Sequence, residues 1–416
     1  MQTSLAGWIK GTQQGDEAEA ILRKCVHCGF CNATCPTYQL LGDELDGPRG
    51  RIYLIKQLLE GGEVTAKTQL HLDRCLTCRA CETTCPSGVQ YGRLADIGRR
   101  LVNERVPRSS WQRLRRRALA AVLPRRSLFA PLLALGRLVR PVLPNVLAEK
   151  IPAVSGTAGA WPPESHARRM LVLAGCVQPS LSPDINTAAA RLLDRIGISL
   201  LKPDTSAGCC GALRYHLDYQ AAGLADMRAL IDAWWPQVEQ GAIEAIVMTA
   251  SGCGAVVKEY GHLLRNDPLY RDKAARISAM TRDLAEVLDA ELPALRGLAV
   301  HRDQSATVPR IAFHPPCTLQ HGQRITGVAE RVLAACGFEL TPVPEAHLCC
   351  GSAGTYSILQ PELAGQLRDN KLAALASGDP QLILTANIGC QTHLAAGAAV
   401  PVRHWVVALE ERLSRE

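Results

Sequence analysis

Aromatic side chains are scarce in this chain. Phe, Tyr and Trp together make up 4% of it, with only 4 Phe. The hydrophobic cores must therefore rest on closely packed Leu, Ala, Val and Ile. No uninterrupted apolar run of about 18 residues occurs, so no membrane-spanning helix is predicted. The opening stretch "MQTSLAGWIKGTQQGDEAEA" lacks the apolar core of a secretory signal. No G-x-G-x-x-G opens a helix after a strand, and no phosphate-binding G-x-x-x-x-G-K-[ST] loop is present, which argues against a nicotinamide or flavin dinucleotide site. The formal net charge of +7 is modest for 416 residues. That length is enough for about two to four domains.

Cysteine, by contrast, is abundant. There are 17, an odd number, and the opening stretch does not read as an export signal. A disulfide framework belongs to short secreted chains, so the thiols are expected to be reduced, cytoplasmic and available to metal. Their placement divides the sequence: eight lie in 25–85, none in 86–175 and nine in 176–390.

The first eight form two copies of one pattern, "CVHCGFCNATCP" at Cys25, Cys28, Cys31 and Cys35, and "CLTCRACETTCP" at Cys75, Cys78, Cys81 and Cys85. The runs are 50 residues apart (75 − 25), and "PRGRIYLIKQLLEGG" between them reads as a helix opened by Pro48 and closed by Gly61 and Gly62. A [4Fe–4S] cube needs four converging thiolates. Three cysteines spaced by three in a tight loop supply three of them. In paired C-x2-C-x2-C-x3-C-P runs the fourth cysteine serves the other cluster. The expected ligand sets are thus Cys25, Cys28, Cys31 and Cys85 for cluster 1, and Cys75, Cys78, Cys81 and Cys35 for cluster 2. Zinc, which favours CxxC pairs joined by a longer loop, fits this spacing poorly. Gly29 is expected to let the backbone wrap the cube, His27 to be a solvated loop residue, and Asp43, Glu44 and Asp46 to form an exposed acidic turn.

The remaining cysteines reveal a tandem repeat. Cys176, the pair Cys209–Cys210 with Gly211, and Cys253 recur as Cys317, the pair Cys349–Cys350 with Gly351, and Cys390, at offsets of 141, 140, 140 and 137 residues. "MTASGC" is echoed by "LTANIGC". Short apolar runs precede four of these positions: "MLVLAGC", "EAIVMTASGC", "RIAFHPPC" and "LILTANIGC". They read as buried parallel strands whose C-terminal ends deliver a cysteine into a loop, where ligands of such sheets gather. "INTAAARLLDRIG" and "GVAERVLAACG" read as intervening helices stopped by Gly197 and Gly337. Lone Cys336 is expected in the core. Adjacent cysteines twice over, each pair flanked by remote ones, make Cys176, Cys209, Cys210, Cys253, Cys317, Cys349, Cys350 and Cys390 candidates for additional redox or metal sites.

Between the two cysteine regions, residues 111–150 alternate apolar clusters with Arg113, Arg115, Arg116, Arg117, Arg125, Arg126, Arg137 and Arg140. "SGTAGAWPPESHARR" then reads as a linker. The expected fold class is α + α/β: a helical two-cluster ferredoxin-type domain over 1–105, an Arg-rich helical linker over 106–168, and two repeated α/β domains over 169–305 and 306–416.

These residues resemble a known family. The duplicated cysteine-rich "CCG" domain occurs in heterodisulfide reductases, in the iron–sulfur subunit of anaerobic glycerol-3-phosphate dehydrogenase and in lactate-utilisation proteins. The runs "CVHCGFCNATCPTYQLLGDELDGPRGRIYLIKQLLEG", "SGCGAVVKEYG" and "HLCCGSAGTYSI…LRDNK…TANIGCQTHLA" are most similar to the iron–sulfur subunits of glycolate oxidase. In the heterodisulfide reductase relatives a CxxC supplies a fifth thiolate to a noncubane cluster. Here the matching positions are Val256 and His393, so that cluster is not carried over.

Cubane clusters pass single electrons, whereas oxidising an alcohol by hydride removal is flavin or nicotinamide work. The resemblance therefore implies an electron-transfer subunit, inactive alone. Flavin would be held only on partner flavoprotein subunits that oxidise glycolate, and the acceptor would be quinone. Equivalent subunits of a D-lactate or anaerobic glycerol-3-phosphate dehydrogenase, or a heterodisulfide-reductase-like subunit, are the alternatives. The expected cofactors are two [4Fe–4S] clusters, with a further cofactor at the CCG sites left open. The Arg-rich segment leaves open peripheral contact with the inner face of the cell membrane. Its lack of interleaved aromatics argues against nucleic acid.

Overall fold

A helix of 12 residues, Gln13–Lys24, leads into the first cysteine run. Thr12 caps it, its hydroxyl accepting the Gly15 N–H at 3.1 Å. The helix Pro48–Leu59 follows the first run, with Pro48 in its first turn and Gly61 in the left-handed region just beyond its end. A third helix, Tyr91–Arg105, follows the second run. Their apolar faces meet in one core containing Leu22, Ile55, Leu58, Leu59 and Leu94, each fully or almost fully buried. Burying each such side chain stabilises by about 1.5–3 kcal/mol. Gly98 lets two of these helices close up: a Cβ there would stand 2.5 Å from Ile55 Cγ1. That approach fixes the two helices that carry Arg51, Tyr91 and Arg99 beside the cysteine loops.

The computed structural model describes residues 1–142, 151–152, 156–203, 207–300 and 309–414. Residues 143–150 of the Arg-rich stretch and Ser155 of the linker lie outside them. The chain divides into two units, Met1–Arg117 with His347–Lys371, and Ala118–Ala346 with Leu372–Glu416.

The larger unit holds two four-stranded sheets. The first comprises β1 (Arg168–Val172), β2 (Ile198–Leu201), β3 (Ala245–Met248) and β4 (Thr281–Asp283), in the order β2-β1-β3-β4. The second comprises β5 (Arg310–His314), β6 (Glu339–Leu340), β7 (Leu382–Thr385) and β8 (Val402–His404), in the order β6-β5-β7-β8. Every pairing is parallel, with Met170 opposite Ala245 in one sheet and Ile311 opposite Leu382 in the other. The duplication expected from cysteine spacing is therefore a duplication of topology. β1, β3, β5 and β7, the inner strands, are the four apolar runs. Of the outer strands, β4, β6 and β8 are too short or too polar to stand out by pattern, whereas β2, "ISLL", is apolar and buried throughout.

One core joins the two sheets, including Val172, Val247, Ile311, Leu384 and Trp405, with Cys336 among them. The helix Asp184–Asp194 packs against Trp405–Ser414, and Leu284–Ala290 against Val328–Ala335. The equivalent ion pairs Arg191–Glu410 (2.8 Å) and Arg331–Asp289 (2.9 Å) mark these two contacts, an internal pseudo-twofold. The stretch read as a linker has no regular structure over 156–167, yet it is tied down: Trp161 packs on the core and its Nε1 donates to Leu200 O at 3.0 Å.

Candidate metal centres

The two cysteine runs fold alike. In the first, His27 (φ 60°) and Gly29 (φ 88°) lie in the left-handed region; in the second, Thr77 (φ 54°) and Arg79 (φ 61°) occupy the same places 50 residues later. Left-handed residues on either side of Cys28 and of Cys78 curl each loop, and Thr77 N–H donates to Cys75 Sγ at 3.4 Å, the kind of backbone concavity that suits an anionic group. Gly29 takes this conformation freely, whereas non-glycine residues there are strained. The third cysteine of each run sits on a short helix, Phe30–Ala33 or Ala80–Thr84. The fourth precedes a proline. Thr84 donates to Thr34 Oγ1 at 3.2 Å, joining the two repeats at equivalent positions.

This arrangement crosses the runs. One cavity, of about 430 Å³ including space open to solvent, is lined by Cys25, Cys28, Cys31 and Cys85. A second, of about 290 Å³, is lined by Cys35, Cys75, Cys78 and Cys81. Cys81, Pro48 and Tyr91 border both. The first cavity thus gathers the three leading cysteines of the first run with Cys81 and Cys85 of the second, and the second cavity gathers three cysteines of the second run with Cys35 of the first.

The donor set fits a multiply charged metal cluster. Burial and the neighbouring Cys25 push the Cys31 thiol up to about 11. Burial and the neighbouring Cys78 and Cys75 also push Cys81 well up. Packed thiols resist joint ionisation until a cation shares their charge, and binding then releases their protons. Cys75 behaves differently. Burial opposes its thiolate, but the Arg51 and Arg99 guanidiniums outweigh it and hold its pKa below the ordinary value.

Those arginines belong to a network that sequence reading missed. Asp46, expected on an exposed acidic turn, is fully buried. It accepts from Arg74 Nη1 at 2.8 Å and Arg51 Nη2 at 3.4 Å, and lies 3.1 Å from His71 Nδ1. Arg51 also donates to His71 O at 2.7 Å and to Thr37 Oγ1 at 3.2 Å, with Nη1 4.0 Å from Cys35 Sγ. Arg99 donates to Leu72 O at 3.0 Å, to Thr77 Oγ1 at 2.9 Å and to the Cys75 carbonyl. Buried charge persists where partners satisfy it. Asp43 is exposed, as expected, and Glu44 is half-buried, bonded to Arg49 at 2.6 Å and to Asn32 at 2.9 Å. His27 is exposed.

In the first α/β half, Cys176 follows β1, Cys209 and Cys210 follow β2, and Cys253 lies in the first turn of the helix after β3. The sulfurs form a chain, Cys176 to Cys209 to Cys210 to Cys253. Cys209 is the best placed to carry negative charge. Hydrogen bonds from Cys176 and Cys210 hold its pKa well below the ordinary thiol value against burial, and Gly211 N–H adds a third at 3.4 Å. Gly211 (φ 81°) is needed twice over, since a Cβ there would come within 2.5 Å of Gly223 O. Val256, at the fifth-ligand position of the noncubane pattern, packs in an apolar core.

The second half repeats these features locally. Gly351 N–H donates to Cys349 Sγ at 3.4 Å, and Asn387 Nδ2 to Cys390 Sγ at 3.5 Å. Cys317 follows β5 and is buried, as are Cys349, Cys350 and Cys390. Cys317 and Cys390 belong to the larger unit, Cys349 and Cys350 to the smaller.

Residues 21–89 match the family described as 4Fe-4S dicluster domain, and 170–258 and 311–395 each match the cysteine-rich CCG domain. The chain is 57% identical over 416 residues, covering 100% of both chains, to the glycolate oxidase iron-sulfur subunit of Escherichia coli (strain K12). It is 31% identical over 412 residues to the probable glycolate oxidase iron-sulfur subunit of Bacillus subtilis (strain 168), covering 92% of this chain and 90% of that one. Lactate utilization protein A of Geobacillus thermodenitrificans is 28% identical over 251 residues, 57% of this chain and 96% of that one. With full-length similarity added to the paired cysteine runs and the repeated sheets, the chain belongs to the family of glycolate oxidase iron–sulfur subunits.

Proposed function

We propose that this chain is the electron-transfer subunit of a glycolate (2-hydroxy acid) oxidase, with flavin on a partner subunit and quinone as acceptor. The carrying observation is the pair of cysteine-lined cavities, each bordered by cysteines of both runs. Cys25, Cys28, Cys31 and Cys85 would hold one [4Fe–4S] cluster, and Cys35, Cys75, Cys78 and Cys81 the other. When bound, such clusters supply one-electron transfer at a potential the protein sets. The residues of this chain hold the thiolates, curl the two loops and bury the second site among guanidiniums. The glycolate reading is favoured over the lactate one because the glycolate relatives match along nearly the whole chain.

Affinity purification under anaerobic conditions should recover a flavoprotein with this chain, and about eight iron and eight sulfide per chain if only the two cubes are filled. A higher count would place iron–sulfur at the CCG cysteines too. Glycolate should reduce a quinone analogue with the assembled complex and not with this chain alone. A colourless, zinc-loaded, redox-silent protein would overturn the reading. A lactate-specific flavoprotein partner would move it to the D-lactate alternative.

Access to quinone implies contact with a membrane surface. Among the described residues no single helix is long and apolar enough to cross one. The helix Arg126–Val139 nevertheless exposes Leu128, Leu132, Leu135, Leu138 and Val139, beside exposed Arg125, Arg126 and Arg140. An apolar stripe edged by arginines suits the interface of an anionic bilayer. The purified chain should float with vesicles rich in anionic lipid and not with zwitterionic ones. Leu132→Asp combined with Leu135→Asp should abolish flotation; undiminished binding by that variant would dismiss this surface.

A further inference from the structure

The two cysteine cavities differ in what surrounds them. The first opens beside exposed Val26, Cys28 and Phe30, and its guanidinium, Arg49, is spent on Glu44. The second is lined by fully buried Arg51 and by Arg79, while Arg99 binds the backbone and Thr77 of its loop. Two phenols add to it. Tyr91 borders both cavities and is 3% exposed; its hydroxyl has no hydrogen-bond partner of good geometry among the described residues and faces the Cys75 sulfur. The Tyr356 hydroxyl is likewise buried without a partner, in the electrostatic neighbourhood of Arg51 and Cys75.

A buried O–H left without a protein acceptor is costly unless something else accepts from it. A sulfur of a filled cluster is such an acceptor. Reduction adds one negative charge to a cluster, so donors aimed at its sulfurs and nearby positive charge favour the reduced form. Water at the open first site favours it too, but it screens charge, whereas guanidiniums inside the protein act at low dielectric.

We propose that Tyr91 and Tyr356, with Arg51 and Arg99, hold the second site at a more positive potential than the first, making it the electron sink of the pair and the exposed first site the entry. This inference rests on both sites holding [4Fe–4S] clusters, as proposed above.

The test is a potentiometric titration of the full-length, anaerobically reconstituted chain, followed by electron paramagnetic resonance. Wild type should show two separate one-electron steps. Combining Tyr91→Phe with Tyr356→Phe should leave iron, sulfide and unfolding midpoint unchanged. It should lower the more positive step by about a tenfold change in the one-electron equilibrium constant, which is 59 mV. Cys28→Ser should alter the signal of the more negative step. If that variant does not assemble its cluster, the step that survives should be the more positive one. The proposal falls if the steps coincide, if Cys28→Ser perturbs or removes the more positive step, or if the phenylalanine variant leaves that step in place. Absence of iron and sulfide would instead sink the cluster assignment itself.

Discussion

Cys35→Ser is expected to empty the second site and leave the first filled. Cys35 belongs to the first run by sequence, yet its sulfur lines the cavity shared with Cys75, Cys78 and Cys81, at least 40 residues downstream (75 − 35). It is buried, with Thr37 Oγ1 3.3 Å away and Arg51 Nη1 4.0 Å away. A serine oxygen there is a poor ligand for iron. Iron and sulfide should fall from about eight to about four per chain, on the stoichiometry of two four-iron cubes. Cys85→Ser should produce the same loss with the opposite resonance signal missing. Uncrossed ligation makes the reverse assignment: Cys35→Ser would then remove the signal that Cys28→Ser disturbs. The pair of variants read together therefore decides the ligand sets, and loss of both signals in either variant would show that the sites cannot fill independently.

The sequence shows the repeats much more plainly than what surrounds them. The 50-residue offset between the runs recurs in the backbone, at His27 and Thr77, Gly29 and Arg79, Thr34 and Thr84, because equal spacing of ligands demands equal loop geometry. The inner strands β1, β3, β5 and β7 are legible since a strand buried on both faces reads as an apolar run. β4, "TRD", and β8, "VRH", carry no such pattern; their register against β3 and β7 comes from the sheet already formed. The polar shell of the second site was hidden for the same reason. Arg51 and Arg99 sit on helices whose arginines look like any solvated face, and only the packing of Pro48–Leu59 against Tyr91–Arg105 turns them inward. Asp46 stands in a run of acids beside a proline, which read as a surface turn. A short helical turn, Glu44–Asp46, points it into the protein instead. Local pattern reports periodicity and spacing; it does not report which charged residue a tertiary contact will bury.

That burial sets the second large effect. Arg51→Met should destabilise the smaller unit by about 3–5 kcal/mol, the range for breaking one partner out of a buried ion pair. Asp46 would keep Arg74 at 2.8 Å and His71 at 3.1 Å, but would lose the one partner as deeply buried as itself. The His71 carbonyl and Thr37 hydroxyl would lose their donor as well. Methionine roughly fills the space left by the arginine stem, so the cost arises from charge and unmet hydrogen bonds more than from a cavity. Replacing both charges, Asp46→Asn with Arg51→Met, should recover part of the loss, because the stranded carboxylate is its main source. Denaturant unfolding of the iron-free chain, compared across the two single variants and the double, measures this directly. If the double variant is as unstable as the sum of the singles, Asp46 and Arg51 are not coupled, and the burial of Asp46 is sustained by Arg74 and His71 alone.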